Sequence, residues 1–420
     1  MKFGTKTVAL LAAFPFAQSF VVNSKANLIP SRLCNDTPFS SNHMTSSSSV
    51  NVSSSAEASS SATSGESGLD PVFAATLTQV QGALKASVDT PSMEAALEHF
   101  AEEYFTASFN SMKSGNEDVT AESTAQNILN AMQYGMQFGM QDKYAFGVTH
   151  KALRGDPENE DGNDIDFYQF GCDFFKPTMD LEKSLVLGIE NLQNAKEQME
   201  NGENVIFFAN HQSEADPQVM SMLLQKAGFE GVAEELTYVA GHKVTTDALA
   251  IPFSMGRNLI CIHSKKHIDA DPETKPVKMR QNLSAMSGML NKLKKGGSSI
   301  WVAPSGGRDR RVLDGSGDVP PAPFDQKTID MFRLMGNKSK VKTHYYALSM
   351  VSYDLCPPPD SVEAGTGEQR NFRFSPIGIH CSEELENKGG VETRHLFTEL
   401  AMETCEKNYR TLLSEMADLE

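Results

Sequence analysis

Apolar residues recur at three- or four-residue intervals from residue 71 onward. Phe73, Leu77, Val80, Leu84 and Val88 form one such series, and Met93, Leu97, Phe100 and Tyr104 another after the Thr90-Pro91 break. Ile128, Met132, Met136 and Met140 repeat the spacing. At 3.6 residues per turn each series becomes a single stripe, and short helices striped this way bury their faces against one another as a small antiparallel bundle. The spacing therefore predicts helices across residues 71–144, with the methionine stripe as core filling.

Past Phe167 the texture changes. Val205-Ile206-Phe207-Phe208, Leu259-Ile260-Cys261-Ile262, Ile300-Trp301-Val302 and Tyr346-Ala347-Leu348-Ser349-Met350-Val351 are short continuous apolar runs, the pattern of strands covered on both faces. Helical stretches lie between them. One covers residues 219–227; another covers residues 280–295, with Leu283, Met286, Leu290 and Leu293 on one face and Gly296-Gly297 as its stop. Strand alternating with helix predicts an α/β fold with a mixed, largely parallel sheet. The expected organisation is a small helical bundle over residues 67–150 and a larger α/β domain over residues 151–420.

The N-terminus reads differently. Lys2 and Lys6 precede the apolar run of residues 8–17, and Ala17-Gln18-Ser19 sets small residues where a signal peptidase reads. That run is too short to span a bilayer, so residues 1–19 are expected to be a signal peptide. Residues 20–66 are rich in Ser, Thr and Asn and poor in acid, a composition that cannot bury enough apolar area to order itself. Together they resemble the two-part plastid presequence of algae with secondary plastids, which implies delivery to the plastid stroma. No later run is apolar enough for a transmembrane helix.

Composition narrows the function. The 420 residues include 54 acidic and 37 basic side chains, a formal charge of −17, which argues against general nucleic-acid binding. Cysteines stand at 34, 172, 261, 356, 381 and 405 with no CxxC spacing, so reduced, buried thiols are expected rather than a disulfide framework or a zinc ribbon. The acidic stretch Asp156-Pro157-Glu158-Asn159-Glu160-Asp161-Gly162-Asn163-Asp164 invites a calcium reading, but aligning Gly162 with the turn glycine of an EF-hand puts Pro157 first and Tyr168 twelfth, where carboxylates are needed. It reads as a solvated loop.

In parallel sheets, chemistry gathers in the loops after strand C-termini. The first such loop is Asn210-His211-Gln212-Ser213-Glu214-Ala215-Asp216-Pro217. Ser213, Asp216 and Pro217 suit a helix start, which does not call for His211. With His211 on the loop and Asp216 in the first turn, the carboxylate reaches one ring nitrogen and leaves the other to accept a proton. The second loop is His263-Ser264-Lys265-Lys266-His267. The third is Ala303-Pro304-Ser305-Gly306-Gly307-Arg308-Asp309-Arg310-Arg311, where alternation puts Arg308 and Arg310 on one side and Asp309 on the other. Paired guanidinium groups beside a Gly-Gly approach suit a phosphate. There is no Gly-x-Ser-x-Gly elbow for an acyl-enzyme and no metal-ligand cluster, so no cofactor is expected.

These blocks, with Phe253-Ser254-Met255-Gly256-Arg257-Asn258-Leu259-Ile260-Cys261 and Pro321-Ala322-Pro323-Phe324-Asp325, resemble plastid-type soluble glycerol-3-phosphate acyltransferases over most of residues 73–420. His-x4-Asp marks only the wider glycerolipid acyltransferase group; Pro-Ser-Gly-Gly-Arg-Asp-Arg is far more specific. The resemblance implies a helical bundle before an α/β domain, His211 and Asp216 as catalytic residues, and Lys266, His267, Arg308 and Arg310 as phosphate ligands. It further implies transfer of a fatty acyl group from a thioester, acyl carrier protein preferred over coenzyme A, to the sn-1 hydroxyl of glycerol 3-phosphate. The alternatives are a lysophosphatidate acyltransferase and a non-catalytic carrier-protein or lipid-binding module. The sequence departs from the family at His242-Lys243, where Asp-Arg is usual, and at His263, where Tyr is. An acidic donor meeting a −17 protein needs a local basic face, for which Lys292, Lys294 and Lys295, or Lys338, Lys340 and Lys342, are the candidates.

Overall fold

Three helices open the fold, each started by its own capping group. Asp70 accepts from Val72 N and Phe73 N at 2.9 and 2.8 Å, with Pro71 in the first turn of α1 (Pro71–Ser87). Thr90 caps α2 (Pro91–Lys113), and Thr120 with Ser123 makes a reciprocal box at the start of α3 (Ala121–Tyr134). The computed structural model describes residues 68–140, 144–155, 164–264, 268–358, 369–387 and 393–419. The expected presequence, most of the acidic stretch around Gly162, and Lys266 and His267 lie outside the described residues.

Phe73, Leu77, Val80 and Leu84 are buried along α1, as are Leu97, Phe100 and Tyr104 along α2. The methionine stripe is not. Met132 is buried, Met136 half-buried and Met140 65% exposed. The cause is a π-helical turn over Gly135–Met140: with i→i+5 bonding, a four-residue step no longer returns to the same face. Phe138 faces inward in their place. The turn lies close on its neighbour, since a Cβ at Gly139 would stand 2.6 Å from Ala248 Cα.

Beyond the helices run β1 (Thr149–His150), α4 (Phe167–Phe175), β2 (Leu185–Leu187), α5 (Ile189–Glu200), β3 (Asn204–Ala209), α6 (Asp216–Lys226) and α7 (Glu230–Glu235). Then come β4 (Thr237–Gly241), α8 (Ile251–Met255), β5 (Asn258–Ile262), α9 (Lys275–Lys295), β6 (Ser299–Val302) and α10 (Gln326–Ser339), and last β7 (Thr343–Val351), β8 (Gly378–Glu384) and α11 (Arg394–Ala417). Among the described residues the strands form one sheet in the order β1-β5-β4-β6-β3-β7-β8-β2. The central five, β5 to β7 in that order, are mutually parallel; β1 and β8 run antiparallel to their inner neighbours. This is the expected α/β architecture with a mixed, mostly parallel sheet.

All six residues of β3 are buried, as its unbroken apolar run requires. Each fully buried side chain of this size contributes roughly 1.5–3 kcal/mol. The helical segment is bonded to the rest: Tyr104 Oη donates to Phe174 O at 2.6 Å, and the rings of Phe100 and Tyr104 pack on Phe174 and Phe372. Residues Leu69–Glu420 form one unit, and among the described residues no helix is long and apolar enough to cross a membrane.

Helix α9 seats itself differently from its expected stripe. Its buried face is Ala285, Met289 and Leu293, while Leu283 is 65% exposed. At 100° per residue this face is turned by about 80° from the expected one. Small residues explain the choice. A Cβ at Gly288 would come within 2.7 Å of Thr149 Cγ2, so the helix backbone approaches strand β1 too closely for a larger side chain there. The five described cysteines carry no disulfide; four are buried and Cys261 is half-buried.

Candidate functional site

The five parallel strands point their C-termini to one edge of the sheet, so every loop singled out from sequence emerges there. Beyond β3, Asn210 anchors the chain to both neighbours. Its Nδ2 donates to Asp309 Oδ2 at 2.9 Å and to Met350 O at 3.0 Å, and its Oδ1 accepts from Met350 N at 2.7 Å. His211 follows, with Nδ1 2.7 Å from Asp216 Oδ2.

Asp216 is fully buried at the start of α6. Besides His211 it accepts from Gln212 N (2.9 Å), Ser213 N and Oγ (both 3.2 Å) and Ser352 Oγ (2.6 Å). Ser213 Oγ in turn accepts from Ala215 N; the cap position of α6 is Ala215, with no side-chain cap, so Ser213 and Asp216 pair in the turn before the helix and not as its capping box. Burial pushes the Asp216 carboxyl upward, but the hydrogen bond and charge of His211 and the donors from Ser352 and Gln212 outweigh it and hold the group below the usual carboxylate range. An anionic acceptor at Nδ1 fixes the imidazole tautomer and turns Nε2 outward. The His211 side chain is 27% exposed. Its ring meets Trp301 edge to face at 5.7 Å between centroids, so carboxylate and indole fix it from two sides.

The β6 loop closes against this pair. Asp309 N donates to His211 O at 2.6 Å. Asp309 is buried, Arg308 half-buried and Arg310 exposed, which is the alternation read from the sequence. Asp309 Oδ1 also accepts from Ala322 N at 2.8 Å, and burial pushes its carboxyl up to about 6. The structure thus brings His211, Asp216, Arg308 and Arg310 together at neighbouring strand ends. The β5 end, which leads to Lys266 and His267, lies at the same edge beyond β4 and β6. There the two departures from the family pattern meet: His242 and His263 stack at 4.3 Å, and burial with the charge of His263 lowers the His242 pKa.

The lysine clusters proposed for donor docking fall elsewhere. Helix α9 returns from the site edge to the start of β6, so Lys292, Lys294 and Lys295 lie about 30 Å of helix away from its site end. Lys338, Lys340 and Lys342 precede β7 at the same far edge, where Lys342 pairs with Glu203. They fit the role of complementing helix C-termini better than that of receiving a donor beside His211.

Comparison with known proteins finds acyltransferases. The Acyltransferase family model matches residues 186–346, from β2 into β7. Glycerol-3-phosphate acyltransferase, chloroplastic, of Pisum sativum is 35% identical over 324 residues, 77% of this chain and 68% of that protein. The chain belongs to the glycerol-3-phosphate acyltransferase family. Its namesakes from Spinacia oleracea and Arabidopsis thaliana are each 39% identical over 246 residues, 59% of this chain. That match spans about half of their length, 50% and 51%. A solved 1-acyl-sn-glycerophosphate acyltransferase from Thermotoga maritima superposes with a TM-score of 0.32 at 18% identity, covering 57% of this chain and 78% of that one.

Several residues of this family member's site carry no sequence signal of their own. Ser352 reaches Asp216 from the end of β7, and Gln212 Oε1 accepts from Ser352 N and Tyr353 N at 2.8 and 3.1 Å. Arg370, its side chain 12% exposed, bridges Glu214 of the His211 loop (2.6 Å) and Asp247 of the β4 loop (3.1 Å). These partners stand more than a hundred residues apart. No local motif links them.

Proposed function

We propose that this chain transfers a fatty acyl group from a thioester to the sn-1 hydroxyl of glycerol 3-phosphate, with acyl carrier protein the preferred donor. The observation that carries this reading is the His211–Asp216 pair at 2.7 Å, set at the same strand edge as Arg308 and Arg310. His211 Nε2 takes the hydroxyl proton as the oxygen attacks the thioester carbonyl. The tetrahedral intermediate collapses, the C–S bond breaks, and the imidazolium returns the proton to the leaving thiolate. Asp216 stabilises that imidazolium. Arg308 and Arg310, with Lys266 and His267 from the β5 loop, hold the phosphate, so that its binding energy orients the hydroxyl.

Assay of the full chain with carrier-protein and coenzyme A thioesters tests the reading. The expected product is 1-acyl-glycerol 3-phosphate. Acylation of 1-acyl-glycerol 3-phosphate in preference to glycerol 3-phosphate would move the chain to the lysophosphatidate reading, and turnover of neither acceptor would leave only a binding module. Within this mechanism, Arg308→Ala or Arg310→Ala should raise the acceptor KM by roughly tenfold or more, with a smaller loss of kcat from poorer orientation. A raised donor KM with the acceptor's unchanged would reject the phosphate assignment.

The relatives' names place those proteins in chloroplasts, and this chain is proposed to work in the plastid stroma, delivered by a two-part presequence over residues 1–66. A reporter fused to residues 1–66 should reach the plastid of an algal host, whereas one fused to residues 20–66 alone should stop before the outermost membrane. Secretion of the longer fusion would overturn the compartment.

A further inference from the structure

Asp309 stands between two arginines in the chain, and its carboxylate is bonded from two other elements. Its hydrogen-bond partners are Asn210 Nδ2 at 2.9 Å and Ala322 N at 2.8 Å, in full burial. Its own amide binds His211 O at 2.6 Å. Burying a carboxylate against two neutral donors is costly, because neither neutralises its charge. Both partners present only N–H groups, however, so the position needs two acceptors and no donor. A carboxylate supplies that; an amide offers one acceptor, and its NH₂ opposes an N–H.

The three bonds share one mechanical result. Asn210 also grips β7 through Met350, and Ala322 belongs to the segment that carries the chain on to α10. Asp309 therefore joins the His211 strand, the β6 loop and the segment before α10 at a single buried point. Arg308 and Arg310 lie one residue to either side of it. Two flexible side chains give an oxyanion a defined place only if their backbone is held, and Asp309 is a point that holds it.

We infer that Asp309 is a positioning residue for acceptor binding: its buried carboxylate sets the distance between the Arg308–Arg310 phosphate cradle and His211. This rests on the proposed acyl transfer to glycerol 3-phosphate. The groups around it are His211 and Asp216 from the β3 loop, Arg308 and Arg310 on its own loop, and Cys405 and Tyr409 from α11. Its effect runs through geometry. The acceptor should suffer when Asp309 changes, and the donor should not.

The test is steady-state kinetics on the full chain as wild type, Asp309→Asn and Ala322→Pro, varying glycerol 3-phosphate and the acyl thioester separately. Asp309→Asn should raise the acceptor KM roughly tenfold or more, since it removes the carboxylate's charge and turns an NH₂ toward one of the two donors. The donor KM should stay within about twofold. Ala322→Pro removes the N–H that Oδ1 accepts and sets a ring methylene against the same oxygen, and should raise the acceptor KM in the same direction. An unchanged acceptor KM in a folded Asp309→Asn protein, or equal rises for both substrates, would overturn the assignment. If Asp309→Asn does not fold, an unchanged acceptor KM in Ala322→Pro does so. Wild-type protein that acylates no glycerol 3-phosphate rejects the proposed function instead, a separate result.

Discussion

Replacing His211 by Ala should lower kcat by roughly 10²–10⁴-fold while glycerol 3-phosphate still binds. The two effects separate because of where the groups sit. His211 leads off the β3 strand end, whereas Arg308 and Arg310 belong to the β6 loop, tied to His211 through its backbone carbonyl, which the alanine variant keeps. The measurement is kcat by product formation alongside acceptor affinity by calorimetry on the same preparation. Near-normal turnover would remove His211 from the mechanism, and loss of acceptor binding together with kcat would make it a phosphate ligand instead.

Asp216→Asn should cost nearly as much activity, and stability as well. The carboxylate accepts from four donors besides His211, all in a fully buried place. An amide at that position accepts through one atom and turns an NH₂ toward one of the two backbone N–H groups, of Gln212 or Ser213, that the two carboxylate oxygens accept. It also favours the wrong imidazole tautomer, with the proton on Nε2, where a base must be empty. The same exchange in a Ser-His-Asp enzyme lowers kcat about 10⁴-fold, and a comparable loss is expected here. Leaving a buried donor at that position unmatched costs roughly 1–3 kcal/mol, which thermal unfolding will register. The pH dependence has a definite sign. A carboxyl held below its ordinary value stabilises the fold above the unfolded-state pKa of about 3.9, and that contribution fades as pH falls through the lower folded value. Asp309 runs the other way. With its carboxyl raised to about 6, the native state binds the proton more tightly than the unfolded one, so its share of stability grows as pH drops from above 6 toward 4. Unfolding curves of Asp216→Asn should therefore lose acid sensitivity below pH ~4, while the wild-type stability between pH 6 and 4 keeps the Asp309 contribution.

What was legible in the sequence follows one physical line. Strands β3, β5, β6 and β7 are continuous apolar runs because both of their faces are covered, and each was read within three residues of its ends. Strand β4, Thr237–Gly241, and strand β8, Gly378–Glu384, were missed. The first mixes polar with small residues, and the second ends in Ser-Glu-Glu, beyond the three residues that β2 pairs. The helical stripes of α1 and α2 held because their period never breaks. The stripe after Met132 failed where the backbone changed its hydrogen-bond step, an event written in Gly135 and Gly139 rather than in the methionines. At the site, His211, Asp216 and Arg308 were visible because they sit in short contiguous motifs. Ser352 and Arg370 were not, since their meaning depends on strand order, which spacing along one chain does not encode.

Trp301 is the only tryptophan in the chain, and its indole lies against the His211 ring. Its neighbour is thus the very imidazole that is proposed to gain and lose a proton in each cycle. Protonated imidazole quenches indole emission, so the intrinsic fluorescence of the unmodified protein is a single-site optical signal from His211, with no competing tryptophan to subtract. A titration or a rapid-mixing trace read at that wavelength follows the charge of one side chain in a 420-residue protein, without a label and without isotopes.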